Sequence, residues 1–388
     1  CTPVSSSSSS ATITDLTFTS GTVGQYYTVI YSISGGDSLR QQMYLGYIPA
    51  SITVSGTASS SNFVWDNGTV IATSANAAVN LLSTDAATRL NSYNLMLGAT
   101  GLDSVTTGFT GTTNGNGITF KSQQLTVSAS QTIKTTNGPI TIWNTNANSP
   151  TGTGGLTAIS MGNTTSLNSQ GGNITIGGGS DPVLYPVTAE VGMSIGASNT
   201  ISAAGGNISI RLSSVLNTNL TASDGQMSAF TSTGTTISTT GSGTVSIVTS
   251  GTGTTAGYAA FGINLGGTIS TVNGALSISS TNSGAGQFLP LKLVGSSNVK
   301  STGTGNIDIT ADASGTTGSS TATKSSQYGV YFSSTYNHIE SQDGNITINA
   351  TGPSFTTTTT TLNSFGLSCS SGFIQSLGAG SISITGRR

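Results

Sequence analysis

Along most of this chain, apolar and polar residues alternate in short bursts, each opened by a turn signal. Eight stretches share one pattern, in which a glycine-containing turn precedes two apolar residues spaced two apart. The apolar pairs are Ile140/Ile142, Ile174/Ile176, Ile208/Ile210, Val245/Ile247, Leu276/Ile278, Ile307/Ile309, Ile346/Ile348 and Ile382/Ile384. Successive pairs are separated by 34, 34, 37, 31, 31, 39 and 36 residues. A period of two predicts strands with one buried face, and recurrence at this interval predicts a repeat architecture. A second apolar landmark precedes each turn: Ile133, Leu167, Ile201, Ile237, Ile269, Val299, Ile339 and Ile374. Further upstream lies a third short apolar run, such as "VGMSIG" at 191–196 or "YGVYFSS" at 328–334.

Three strands per repeat, closed by a loop of variable length, describe one turn of a β-solenoid. The expected fold is therefore all-β, a right-handed parallel solenoid of about eight three-stranded coils, preceded by a β-rich N-terminal region. Each coil stacks on the next at about 4.8 Å, with like strands paired in parallel. Glycine in "DGN" and "GGN" is expected to supply positive φ at a sharp corner. The expected organisation is a Ser-rich tether over 1–12, a β-rich cap or connector over 13–116, and solenoid repeats over 117–388. Within the connector, Leu81, Leu82, Ala86, Leu90 and Leu95 are compatible with one helical face and predict a short helix over 80–99.

Composition changes this picture mainly by exclusion. Only 6% of the 388 residues are charged and the net charge is −2, so there is no basic surface for nucleic acid. The two cysteines, Cys1 and Cys369, make no disulfide framework, and no apolar run is long enough to span a bilayer as a helix. The opening "CTPVSSSSSS" resembles the processed start of a bacterial lipoprotein, which makes Cys1 the candidate lipidation site and the only expected membrane link.

The pattern of "YGVYFSSTYNHIESQDGNITINATG" and "FGLSCSSGFIQSLGAGSISITG" resembles filamentous-haemagglutinin-like and related β-strand-repeat surface proteins of bacteria. That resemblance covers about residues 117–386 and implies a secreted β-helix displayed outside the cell. It is specific for architecture and says little about activity.

Candidate chemistry is sparse. The single histidine, His338, sits beside Glu340 on the side opposite Ile339, where a general-base pair competes with a solvated outer face. Acidic residues for a glycan-cleaving site are Asp181, Glu190, Asp224, Asp308, Asp312, Glu340 and Asp343. "GTGTTAG" at 251–257 lacks the lysine and helix of a phosphate loop, and "GGGSD" at 177–181 lacks the tandem copies of a calcium repeat. Neither a cofactor nor a metal is expected. Glycosylation sequons occur at Asn67, Asn163, Asn173, Asn207, Asn219, Asn345 and Asn349. The outward residues between the apolar pairs, Thr141, Thr175, Ser209, Ser246, Ser277, Asp308, Thr347 and Ser383, are expected to form a polar ladder.

These features point to a non-enzymatic extracellular protein, a surface adhesin or matrix or filament subunit that associates end to end with itself. A polysaccharide-binding or polysaccharide-cleaving β-helix is the alternative, and an ice-binding solenoid a more distant one. An exposed aromatic row would favour a binding module; converging acids would favour an enzyme.

Overall fold

The computed structural model describes strands within 26–127 and, from 129 onward, all residues except 131, 136, 145–156, 216–226, 254–258, 285–286, 317–325, 355–362 and 370–371. The described regular structure is strand, with no helix, wound as a parallel β-solenoid. The eight apolar pairs are consecutive rungs of a single ladder, from Ile140 against Ile174 to Ile346 against Ile382. The landmarks make a second ladder, from Ile133 against Leu167 to Ile339 against Ile374. The upstream runs make a third, through Leu125, Ile159, Met193, Phe230, Ile263, Leu291, Val330 and Leu367.

Third strands form one sheet; first and second strands together form the other. The core lies between them. In the second turn Ile159, Met161, Leu167, Ile174 and Ile176 all point inward and are buried. Alternation sorts the side chains, as the strand Ile140–Asn144 shows by burying every second residue. Each buried aliphatic side chain contributes about 1.5–3 kcal/mol, so five per turn hold the coil without staples.

The N-terminal region differs from expectation in one respect. Strands Val79–Leu82 and Asn94–Leu97 occupy the two ends of the span expected to hold a helix, so no helix runs through 80–99; residues 83–93 lie outside the described residues. Both strands join the parallel ladders, with Ile118 against Val79 and Leu125 against Leu95. Cross-strand pairing overrides a weak helical spacing here. Ahead of them, Tyr26–Ser32, Ser38–Tyr44 and Thr53–Gly56 pair antiparallel at the end of the third-strand sheet.

The corner before each third strand also needs a correction. Gly171 and Gly205, the first glycines of the "GGN" corners, do have positive φ, at 128° and 114°. The glycine common to every corner does not. Gly172, Gly206, Gly274, Gly305, Gly344 and Gly380 are needed because the carbonyl of the glycine one rung away occupies the space of a Cβ, at 1.9 to 2.2 Å. Asparagine follows glycine for a separate reason. Asn173 Oδ1 accepts the N–H of Asn207 at 2.9 Å, and Asn207, Asn306 and Asn345 repeat this bond to Thr244, Asn345 and Ser381. The side chain thus ties each rung to the next, which explains why three sequons recur at this corner.

Inside the same corner, several hydroxyls are buried and bonded. Thr135 Oγ1 donates to the carbonyl of Ser169 at 3.1 Å, Thr239 Oγ1 to Gly206 at 2.7 Å, and Ser301 Oγ to Val272 at 3.0 Å. At the equivalent position of other turns, the buried hydroxyls of Thr271, Ser341 and Ser376 make no hydrogen bond.

Candidate binding face

Outward positions decide what a solenoid meets. On the third-strand sheet the expected ladder is in register, from Thr141 and Thr175 through Asp308 to Thr347 and Ser383. The next row pairs Trp143 with Gly177 and, from the third turn, runs Arg211, Val248, Ser279, Thr310, Asn349 and Thr385, a mixed set in which only threonine recurs. This face presents small hydroxyls with irregular neighbours.

The opposite sheet behaves differently. Through its second to fifth turns two rows in register on its outer side are small and polar: Ser160, Ser194, Thr231 and Asn264 on first strands, Thr200, Thr236 and Thr268 on second strands; a further first-strand row is mixed, with Thr157 beside Val191, and Ser228, Phe261 and Leu289 in succession. From the sixth turn they change to Lys292, Asn298 and Lys300, then Tyr328, Tyr331, His338 and Glu340, then Phe365, Phe373 and Gln375. The rings associate. Tyr328 stacks on Tyr331 with centroids 4.6 Å apart and planes 9° apart, and on Phe365 at 5.5 Å and 18°. His338 stacks on Phe373 at 3.8 Å and 26°. Tyr336, 66% exposed, stands at the corner between the two groups.

Tyr328 and Tyr331 share a face despite being three residues apart, and a bend in the strand is the cause. Gly329 and Val330 are both buried, which skips one step of the alternation. Gly329 fits because a Cβ there would lie 2.7 Å from the carbonyl of Gly366 and 2.9 Å from the Thr351 nitrogen. The equivalent small residues Ala158, Gly192, Ala229 and Gly366 are buried as well.

Chemically, the face combines ring surfaces with polar groups that are held in place. Gln375 Nε2 donates to Glu340 Oε2 across the rungs. His338 lies in register with Asn298 on one side and Phe373 on the other. The expected outward placement of His338 and Glu340 about the buried Ile339 is what the structure has. Lys292 Nζ sits 5.0 Å from the ring centre of Phe261.

Among the described residues, the acids singled out from sequence do not come together. Glu340 is on the aromatic face, Asp308 and Asp312 are on the other sheet, and Asp343 is at a corner, accepting the Ala379 N–H. Asp181 serves its own loop, where its carboxylate accepts the Val183 N–H at 2.8 Å and its carbonyl accepts Tyr185 at 2.9 Å. This loop carries the exposed Val183, Leu184 and Tyr185, and the "GGGSD" stretch is accounted for as its turn. Glu190 is buried at the foot of a first strand, where its carbonyl accepts the Ser214 hydroxyl at 2.7 Å. Among the described residues, no three His, Cys, Asp or Glu side chains gather as metal ligands. Cys369 is exposed at the corner of the eighth turn, and partial burial raises its thiol above the usual value, which disfavours thiolate chemistry. Cys1 and Asp224 lie outside the described residues, as does most of "GTGTTAG".

Comparison with known proteins yields no matching family model, no matching curated protein and no matching solved structure. The resemblance to haemagglutinin-like repeats therefore stands at the level of the β-solenoid fold.

Proposed function

We propose that this chain is an extracellular, non-enzymatic solenoid that adheres to polysaccharide through the aromatic face of its sixth to eighth turns. The observation that carries the reading is the gathering of Tyr328, Tyr331, Phe365, His338 and Phe373 on neighbouring rungs, in rows where the positions of Tyr331 and His338 hold Ser, Thr or Asn through the second to fifth turns. Aromatic rings gain free energy when their apolar surface leaves water and carry a negative ring face, and the C–H face of a sugar ring meets both needs. The low charge and abundant hydroxyls of the rest of the surface suit the same hydrated surroundings.

Retention on immobilised polysaccharide tests the reading. Tyr328 is central to its stack, so Tyr328→Ala is expected to weaken binding about tenfold, the equivalent of one lost aromatic contact. Equal retention of the wild type and the variant would remove the face from the account.

A further inference from the structure

We infer that His338, Phe373, Glu340 and Gln375 form one sugar subsite, selective for neutral hexoses that carry two adjacent hydroxyls. The inference rests on the polysaccharide reading above and assigns it a ligand class. Two adjacent rungs supply the four side chains at two neighbouring outward positions, His338 beside Phe373 and Glu340 beside Gln375. The two rings lie face to face and cover one face of each other, so they make a compact stack beside the polar pair. Roughly 6.6 Å further along the strands lies the polar pair.

The pair is preorganised by its own hydrogen bond, from Gln375 Nε2 to Glu340 Oε2. That bond fixes the carboxylate and uses one amide donor, while Glu340 Oε1 and the Gln375 carbonyl oxygen remain acceptors. Sugar hydroxyls are donors, and two acceptors held side by side receive two adjacent ones while the sugar's C–H groups pack against the open side of the ring stack. Hydrogen bonds to a charged acceptor are the stronger kind, which makes Glu340 the specificity residue. An acidic sugar fits worse, because its carboxylate offers no proton at neutral pH and meets the charge of Glu340. Lys300, in register with Glu340 on the preceding rung, offsets part of that charge, and Asn298 beside His338 adds none.

Titration calorimetry of the whole chain with a soluble cellulose derivative, a galactomannan and polygalacturonate tests this. The wild type should bind a neutral polymer at least about tenfold more tightly than polygalacturonate, and Glu340→Ala should cost about tenfold on the neutral polymer. Glu340→Gln keeps the shape and removes the charge, so it should narrow the discrimination against polygalacturonate, an effect that loss of packing would not produce. Equal binding of all polymers by the wild type overturns the inference. So does a Glu340→Ala variant that binds normally while Tyr328→Ala binds weakly, and in that case the polysaccharide reading survives. If the wild type binds none of the three and no other polysaccharide, the reading itself falls with the inference.

Discussion

Gly274→Ala is expected to destabilise the solenoid by about 2–4 kcal/mol, more than most single-methyl additions, because the methyl has nowhere to go. A Cβ at Gly274 would lie 1.9 Å from the carbonyl oxygen of Gly243 and 2.6 Å from that of Ser242. Both obstacles are backbone, fixed by the ladder on either side, so neither moves without separating the rungs. Gly305→Ala and Gly344→Ala should behave alike, with their Cβ positions 2.2 and 2.0 Å from the glycine carbonyl one rung away. Gly295 is the control. It has a φ of 61° but nothing within 4 Å of its Cβ position, so alanine there costs about 1 kcal/mol of backbone strain. Urea midpoints for the two variants separate these causes: a corner variant no worse than Gly295→Ala would show that rung contact is not what selects glycine.

The second large effect is expected at Phe230. It is fully buried and sits between Met193 and Ile263 in the first-strand ladder. Phe230→Ala removes a large side chain whose neighbours are held by strand pairing on both sides, so the cavity collapses poorly and the cost is about 3–5 kcal/mol. A solenoid transmits this loss unevenly because each turn touches only its neighbours. Amide exchange should therefore accelerate most in the third to fifth turns, around 191–284, and least near Ile346. Uniform acceleration along the chain would mean that the solenoid unfolds as one unit and that the nearest-neighbour picture is wrong.

These two sites also show what the sequence carries and what it does not. The inward ladders were legible because apolar side chains at a period of two have one physical explanation and the repeat multiplied it eight times. Ile346 and Ile348, Ile339 and the pair His338/Glu340 all take the faces that alternation assigns them. The role of glycine was misread because composition reports that a Cβ is missing, not why. Positive φ explains Gly171 and Gly205, whereas an approaching carbonyl explains Gly172 and Gly344. The strands Val79–Leu82 and Asn94–Leu97 were missed because four-residue strands hold too few alternations to outweigh a chance helical spacing, and their pairing partners lie elsewhere in the chain.

The aromatic face was hidden for a geometric reason. Strict alternation puts Tyr328 and Tyr331 on opposite sides, and the bend at Gly329 and Val330 brings them together. A signal was present, since Ala158, Gly192, Ala229, Gly262, Gly329 and Gly366 occupy the same point of their first strands, interrupted once by Pro290. Phe365 and Phe373 stand in consecutive strands of the last turn and fall beside Tyr328 and His338 only once the ladder register is known.

The most direct measurement removes the rings. Replacing Tyr328, Tyr331, Phe365 and Phe373 with threonine leaves small hydroxyls on the outer side of the last turns, on strands that tolerate threonine well. Polysaccharide binding by this variant and by the wild type should then be compared at matched thermal stability. The account predicts an unfolding midpoint close to that of the wild type and loss of detectable binding. A folded variant that binds polysaccharide as tightly as the wild type would contradict it.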